Sequence, residues 1–269
     1  MCRSAVVVPQ GYRPATKRVL DGSWLPANSG AMSLKNSRVL VIGGTSGIGL
    51  SVASAAAERG AVPIVVSRRQ SSVDHAISQL PDGAHGATVD LADPASLDRL
   101  AADLEQIDHL VYTAGDALEM ASLPDLTPEV INRFLLVRYV GALSAVRVFA
   151  PRMATGGSVT LTSGTAGEQY GLGVLPVSIC KAMNGVTKAL AVELAPLRVN
   201  AVAPGVVRTP LWDTIGDADR QAMYDKAAQR LPLGRVGEVA DVARAYIYLM
   251  EQEYGTGVIL TVDGGTVLV

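Results

Sequence analysis

From Lys35 onward, two patterns of apolar positions alternate along the chain. Short runs of consecutive, mostly β-branched residues predict strands at RVLVIGG (38–44), VPIVVS (62–67), GATVD (86–90), DHLVYTAG (108–115), GSVTLTSG (157–164), RVNAVAPG (198–205) and GVILTVDGG (257–265). Between them lie longer Ala- and Leu-rich stretches that predict helices. These are SVASAAAERG (51–60), closed by Gly60, DPASLDRLAADLEQI (93–107), opened by Asp-Pro, and a long run over 127–153. Three more follow at 174–195, 217–231 and 238–252. Strands that are apolar throughout, alternating with helices, require a parallel sheet covered on both faces. No composition break interrupts them, so residues 34–269 are expected to form one doubly wound α/β domain on a seven-stranded parallel sheet.

The first strand runs straight into Gly43-Gly44-Thr45-Ser46-Gly47-Ile48-Gly49 and then a helix. Glycines there let the backbone approach a pyrophosphate, and the helix N-terminus adds N–H groups and a positive dipole end. The second strand ends in Ser67-Arg68-Arg69, with no carboxylate to bind a ribose 2′-hydroxyl. Two guanidiniums at that place suit a 2′-phosphate, which favours NADP(H) over NAD(H).

Residues 1–31 differ from the rest: three prolines, several glycines and no sustained period read as an N-terminal extension, with its boundary near residue 33. Met32 is an alternative start. The balance of Arg3, Arg13, Lys17 and Arg18 against Asp21 also fits a transit peptide, whereas AVVV is too short for a secretory signal. Elsewhere, 49% hydrophobic and 18% charged residues describe a globular protein, and 4% aromatic residues imply an aliphatic core. A net charge of −2 gives no electrostatic reason to expect nucleic acid or an anionic membrane. No run is expected to reach the roughly 18 apolar residues of a bilayer span. Two distant cysteines and three scattered histidines (His75, His85, His109) give no metal-ligand spacing, and a reducing, cytoplasmic setting is expected.

These motifs resemble the short-chain dehydrogenase/reductase family over about Leu34 to Val269, which implies a Rossmann fold. The glycine motif is similar at Gly43, Gly47 and Gly49, with Ile42 where threonine is usual. Asp90-Leu91 matches the pair that borders the adenine, and Tyr112-Thr113-Ala114-Gly115 stands where Asn-Asn-Ala-Gly is common. Arg198-Val199-Asn200 through Pro204-Gly205, with Val207 and Thr209, matches the segment that meets the nicotinamide carboxamide. Asp263-Gly264-Gly265 matches the C-terminal signature. The resemblance thus implies a cofactor site of Gly43, Thr45, Ser46, Gly47, Ile48, Gly49, Arg68, Arg69, Asp90, Leu91, Ala114, Gly115, Lys181, Pro204, Gly205, Val207 and Thr209. It also implies a homodimer or homotetramer with the long helices after the fourth and fifth strands at one interface.

In that family a tyrosine four residues before the active-site lysine is the acid or base, a serine about thirteen residues earlier binds the reacting oxygen, and an asparagine on the long helix supports a water relay. Here Lys181 is present, but those positions hold Val177, Gly164 (beside Ser163) and Arg138. Valine cannot deliver a proton, and a general acid must lie within hydrogen-bond reach of the oxygen it protonates. Three reactions escape the limit: reduction of an imine that reacts as its iminium ion, reduction of a conjugated carbonyl whose oxyanion is stabilised, and cyclisation or isomerisation on a preorganised surface. Arg138, in the apolar stretch 134–140, suits oxyanion binding, or an ion pair to a neighbour. Tyr170 and Tyr139 are candidate substitute acids, Ser163 and Ser178 candidate hydroxyls, and Trp212, Leu211 and the helix 217–231 a candidate substrate lid. Cys180 has no base beside it. The pattern looks like divergent family members of fungal indole-alkaloid pathways, which reduce imine-type intermediates and guide a Diels–Alder cyclisation with an arginine at the position of Arg138. Their further aspartate would fall in the loop that here holds Glu168. The expectation is an NADP(H)-dependent reductase of a small biosynthetic substrate with Lys181, Arg138 and Tyr170 at its centre. The alternatives are a cofactor-bound cyclase or isomerase, or a non-catalytic NADP(H)-binding scaffold.

Overall fold

The computed structural model describes residues 33–116 and 121–269. The extension expected over 1–33 lies outside them, apart from Ser33. Seven strands form one parallel sheet: β1 (Arg38–Ile42), β2 (Val62–Ser67), β3 (His85–Thr88), β4 (Ile107–Tyr112), β5 (Met153–Thr162), β6 (Arg198–Pro204) and β7 (Ile259–Val262), in the order β3-β2-β1-β4-β5-β6-β7. The chain winds outward one way from β1 and then the other way from β4, so the sheet has its topological switch between them. The helices are α1 (Gly47–Ala57), α2 (Gln70–Ile77), α3 (Ser96–Asp103), α4 (Pro128–Leu135), α5 (Ala142–Phe149), α6 (Val174–Glu193), α7 (Asp217–Arg230) and α8 (Val239–Glu251).

Alternation along the buried strands sends side chains into two separate cores. From β1, Leu40 and Ile42 join Leu110, Tyr112, Phe149, Val159 and Met183 on one face. Val39 and Val41 join Val52, Val65, Val111, Tyr246 and Met250 on the other. Helix α1 buries Gly49, Val52, Ala53 and Ala56, one stripe at helical spacing, and small residues there let α1 lie close against α8. Two buried polar side chains of β6 are partnered locally. Arg198 donates to the carbonyls of Leu249 (2.7 Å) and Met250 (2.9 Å), closing the C-terminal end of α8. Asn200 bridges the loop before β7, from its Nδ2 to the Gly255 carbonyl and from the Val258 N–H to its Oδ1. Hence Arg198 and Asn200, read in a cofactor-side motif, hold the sheet's far edge together.

Two elements depart from the sequence reading. Helix α2 was not foreseen, because QSSVDHAI buries only Val73 and Ala76 and its apolar signal is faint. The long run over 127–153 is not one regular helix: α4 and α5 are joined by a π-helical turn, Leu136–Gly141, and a 3-10 turn follows at Ala150–Arg152. This run, Pro128–Arg152, is by length and composition apolar enough to cross a membrane, contrary to the expectation above. Here Phe134, Ala142, Ala145, Val146 and Phe149 on its inner face pack on the sheet, as in any core helix.

Candidate active site

The cofactor-side residues of the motifs meet at the carboxyl ends of the strands, over the switch between β1 and β4, where open α/β sheets hold ligands. Gly43, at φ +86°, leads out of β1, and a Cβ on it would stand 2.5 Å from the Ala114 nitrogen and 2.8 Å from the Thr113 carbonyl carbon. Only a bare backbone passes between those loops. Gly49 is equally confined: a Cβ would press on the Gly43 carbonyl and lie 2.5 Å from Thr113 Oγ1. That hydroxyl donates to the carbonyls of Ile42 and Gly43, both at 3.2 Å, and so ties the glycine turn to the end of β4. Thr45, Ser46, Gly47 and Ile48 open α1; Ser46 is its N-cap and makes no side-chain capping bond. Gly47, at φ +52°, faces Thr209 and Pro210, so the segment after β6 lies over the glycine turn.

Arg68 and Arg69 are exposed at the end of β2, and Asp90 and Leu91 follow β3. Asp90 Oδ1 accepts the Ala92 N–H at 3.0 Å, while its carbonyl accepts the Ser96 hydroxyl at 2.6 Å. Ala114 and Gly115 follow β4, and Gly115 faces the guanidinium of Arg138. Pro204 and Gly205 end β6, where a Cβ on Gly205 would stand 2.8 Å from the Asp263 backbone. Val207 is a buried packing residue whose carbonyl accepts the Trp212 indole N–H at 3.0 Å. Trp212 and Leu211 thus lead from the cofactor side into α7, the expected lid.

Lys181, on α6, places its ammonium 2.5 Å from Glu168 Oε1. That hydrogen bond holds the lysine's pKa above the usual value, against a smaller opposing effect of desolvation. Val177 lies one turn earlier on the same helix. Where a Cβ on Gly164 would sit, Cys180 Sγ is 3.0 Å away. The Cys180 thiol is pushed up chiefly by burial, which leaves it an inert filler. Ser163 Oγ is within reach of the Cys180 carbonyl (3.0 Å) and Asn184 Oδ1 (2.7 Å), so it is engaged with α6. Ser178 is exposed and Tyr139 half-buried. Tyr170 is 75% exposed, in a 3-10 turn beside Lys181. Arg138, in the π-turn, donates to the Asp116 carbonyl and lies with its guanidinium carbon 4.5 Å from the centre of the Phe134 ring.

The structure therefore brings the glycine turn, Ala114-Gly115, Arg138 and the segment 204–209 together, with Lys181 and Glu168 paired beside them. Sequence reasoning missed the Thr113 clamp and the direct Glu168–Lys181 bond; a carboxylate thirteen residues from its lysine carries no periodic signal.

Comparison with known proteins agrees with this geometry. The family described as enoyl-(acyl carrier protein) reductase matches residues 43–267. The short-chain dehydrogenase/reductase malC of Malbranchea aurantiaca is 35% identical over 254 residues, covering 87% of this chain and 96% of its own. The chain is a short-chain dehydrogenase/reductase. A further relative, fsr5 of Gibberella fujikuroi, is 34% identical over 256 residues, 87% of this chain and 96% of its own. The solved structure of MalC, described as a reductase/Diels-Alderase, superposes with a TM-score of 0.80 over 88% of this chain and 98% of its own. A small-chain dehydrogenase in complex with NADPH, 30% identical, gives 0.73 over 87% of this chain and all of the other. As a short-chain dehydrogenase/reductase, the protein is an oxidoreductase of small molecules with a nicotinamide cofactor.

Proposed function

We propose that this enzyme is an NADP(H)-dependent reductase of an imine, iminium or conjugated carbonyl substrate in a biosynthetic pathway, and that it works without a tyrosine acid. The observation that carries the reading is the environment of Lys181. One turn before it stands Val177, and its ammonium is bound to Glu168 at 2.5 Å. The neighbouring groups are poor proton donors: the Cys180 thiol is buried with a raised pKa, Ser163 is engaged with α6, and Tyr170 is largely exposed at the rim. A ketone needs a proton on its oxygen as it is reduced. An iminium ion reduced at carbon ends as a neutral amine and needs none, and a conjugated carbonyl needs only a donor for its developing oxyanion, a place Arg138 can fill.

The cofactor cradle fits a dinucleotide. The gaps above Gly43 and Gly49 admit nothing larger than hydrogen, which keeps the turn low under a pyrophosphate, and the N-terminus of α1 directs its N–H groups there. A bound nicotinamide supplies the hydride. In this reading Thr45, Ser46, Gly47 and Ile48 hold the phosphates, Asp90 and Leu91 border the adenine, and Pro204, Gly205, Val207 and Thr209 line the nicotinamide side. Lys181 has three N–H donors, of which one goes to Glu168 and two remain for ribose hydroxyls. Arg68 and Arg69 hold a 2′-phosphate; replacing both by alanine is expected to weaken NADPH about 10- to 100-fold and leave NADH nearly unchanged. Fluorescence titration with both nucleotides reads this directly, and equal losses for the two would remove the assignment.

The central test is a panel of cyclic imines, enones and simple ketones assayed with NADPH. Imines or enones are expected to turn over and ketones to lag by at least tenfold, with Tyr170→Phe changing kcat less than about threefold. Ready ketone reduction that Tyr170→Phe abolishes would instead make Tyr170 the acid. A second reading, a cofactor-bound cyclase, is supported by the likeness to MalC, whose structure carries the description Diels-Alderase. Assembly as a homodimer or homotetramer belongs to the same proposal. The apolar groove between α5 and α6, with Leu143, Val146, Ala150, Leu190 and Leu194, supplies a surface for it.

A further inference from the structure

Arg138 sits where it does because the helix beneath it is broken in a particular way. In an uninterrupted α-helix the Val137 carbonyl would take the N–H of Gly141, four residues on. The hydroxyl of Tyr112 reaches up from the end of β4 and donates to that carbonyl. A side chain inserted into the ladder is a recognised cause of helix distortion, and residues 136–141 form a π-turn between α4 and α5.

The neighbouring residue makes room. A Cβ on Gly141 would lie inside contact distance of the Tyr112 oxygen and 3.3 Å from Leu91 Cδ1. Glycine within a helix costs about 1 kcal/mol relative to alanine. Here the missing methyl is the space the hydroxyl occupies. Tyr112 is 2% exposed, and burial keeps its phenol well above the ordinary range, so it stays a neutral donor. Arg138 follows Val137 directly, and its guanidinium is on the Asp116 carbonyl and over Phe134, at the edge of the cofactor cleft.

We propose that Tyr112 and Gly141 form a wedge and socket whose purpose is to hold the π-turn open and aim Arg138 at the reacting end of the substrate. Tyr112 is then a positioning residue for Arg138. The catalytic consequence rests on the function proposed above; the structural one does not.

The test compares Tyr112→Phe, Gly141→Ala, Arg138→Lys and the pairs that join them. Tyr112→Phe is expected to bind NADPH within twofold of the parent. Its crystal structure is expected to show residues 136–141 closed toward α-helical pairing and the guanidinium off the Asp116 carbonyl. With an enone that the parent reduces, kcat is expected to fall at least tenfold at little change in KM, and Arg138→Lys added to Tyr112→Phe is expected to lower it no further. Gly141→Ala is expected to be strongly destabilising in the parent and much less so when combined with Tyr112→Phe, because the clashing oxygen is gone. A Tyr112→Phe structure that keeps both the π-turn and the Arg138 contact overturns the proposal. So does an additive effect of Tyr112→Phe and Arg138→Lys on kcat. If the parent reduces no imine or enone, the functional reading fails, while the Tyr112→Phe structure and the Gly141→Ala pair still decide the wedge.

Discussion

Gly43→Ala is expected to raise the Kd for NADPH by at least about 100-fold, roughly 3 kcal/mol. Two separate effects act at this residue. Its φ of +86° lies in the left-handed region, where alanine costs on the order of 1–2 kcal/mol. In addition, the new Cβ would be 2.5 Å from the Ala114 nitrogen and 2.7 Å from its Cα, backbone atoms that yield only if the β1 and β4 loops part. Parting them lifts the turn that cradles the phosphates. Gly83 separates the two effects, because it has φ +93° and nothing within 4 Å of its Cβ position. Gly83→Ala is expected to lose about 1 kcal/mol of stability and keep its NADPH affinity. Fluorescence titration and urea unfolding of both variants check this. A folded Gly43→Ala protein that binds NADPH like the parent would show that the turn is not the phosphate cradle.

The second large effect is acid instability traced to His109. This side chain is buried in β4 with Nδ1 2.8 Å from Ser158 Oγ of β5. Burial, and then the nearby Arg198 guanidinium, lower its pKa from 6.5 to about 4. The folded protein therefore keeps it neutral down to about pH 4, while the unfolded chain takes up a proton near 6.5. Stability from this group is complete above pH 6.5 and is lost as the pH falls toward 4, about 2–3 kcal/mol by pH 4.5. His109→Asn starts less stable but lacks that titration. Urea midpoints between pH 7.5 and 4.5 are expected to fall less steeply for His109→Asn than for the parent. Parallel profiles would mean that His109 is protonated in the fold without penalty.

The parts of the site that were legible in the sequence are those in which one residue type solves a backbone problem. Gly43 and Gly49 announce a close approach, and their place between an apolar strand and a small-residue helix says what approaches. The central strands β1, β2, β4 and β6 were legible for a related reason, since strands buried on both faces are mostly apolar, whereas β3 is largely exposed and left only a weak run. Two kinds of feature escaped. Helix α2 buries two side chains only, so its pattern falls below what a surface loop shows by chance. The π-turn depends on Tyr112 meeting Gly141, twenty-nine positions apart in sequence and joined only by the fold. A glycine inside an apolar helix was its one trace. The Lys181–Glu168 bond was hidden likewise, since its distance depends on the two 3-10 turns between β5 and α6.

Cys180 has a consequence beyond its packing. Its sulfur stands 3.0 Å from where a side chain on Gly164 would begin, so a serine introduced at 164 needs the thiol to give way by a few tenths of an ångström. Gly164→Ser is therefore expected to be better tolerated together with Cys180→Ala than alone. The sulfur makes positions 164 and 180 a single unit for any redesign that would restore a hydroxyl to this site.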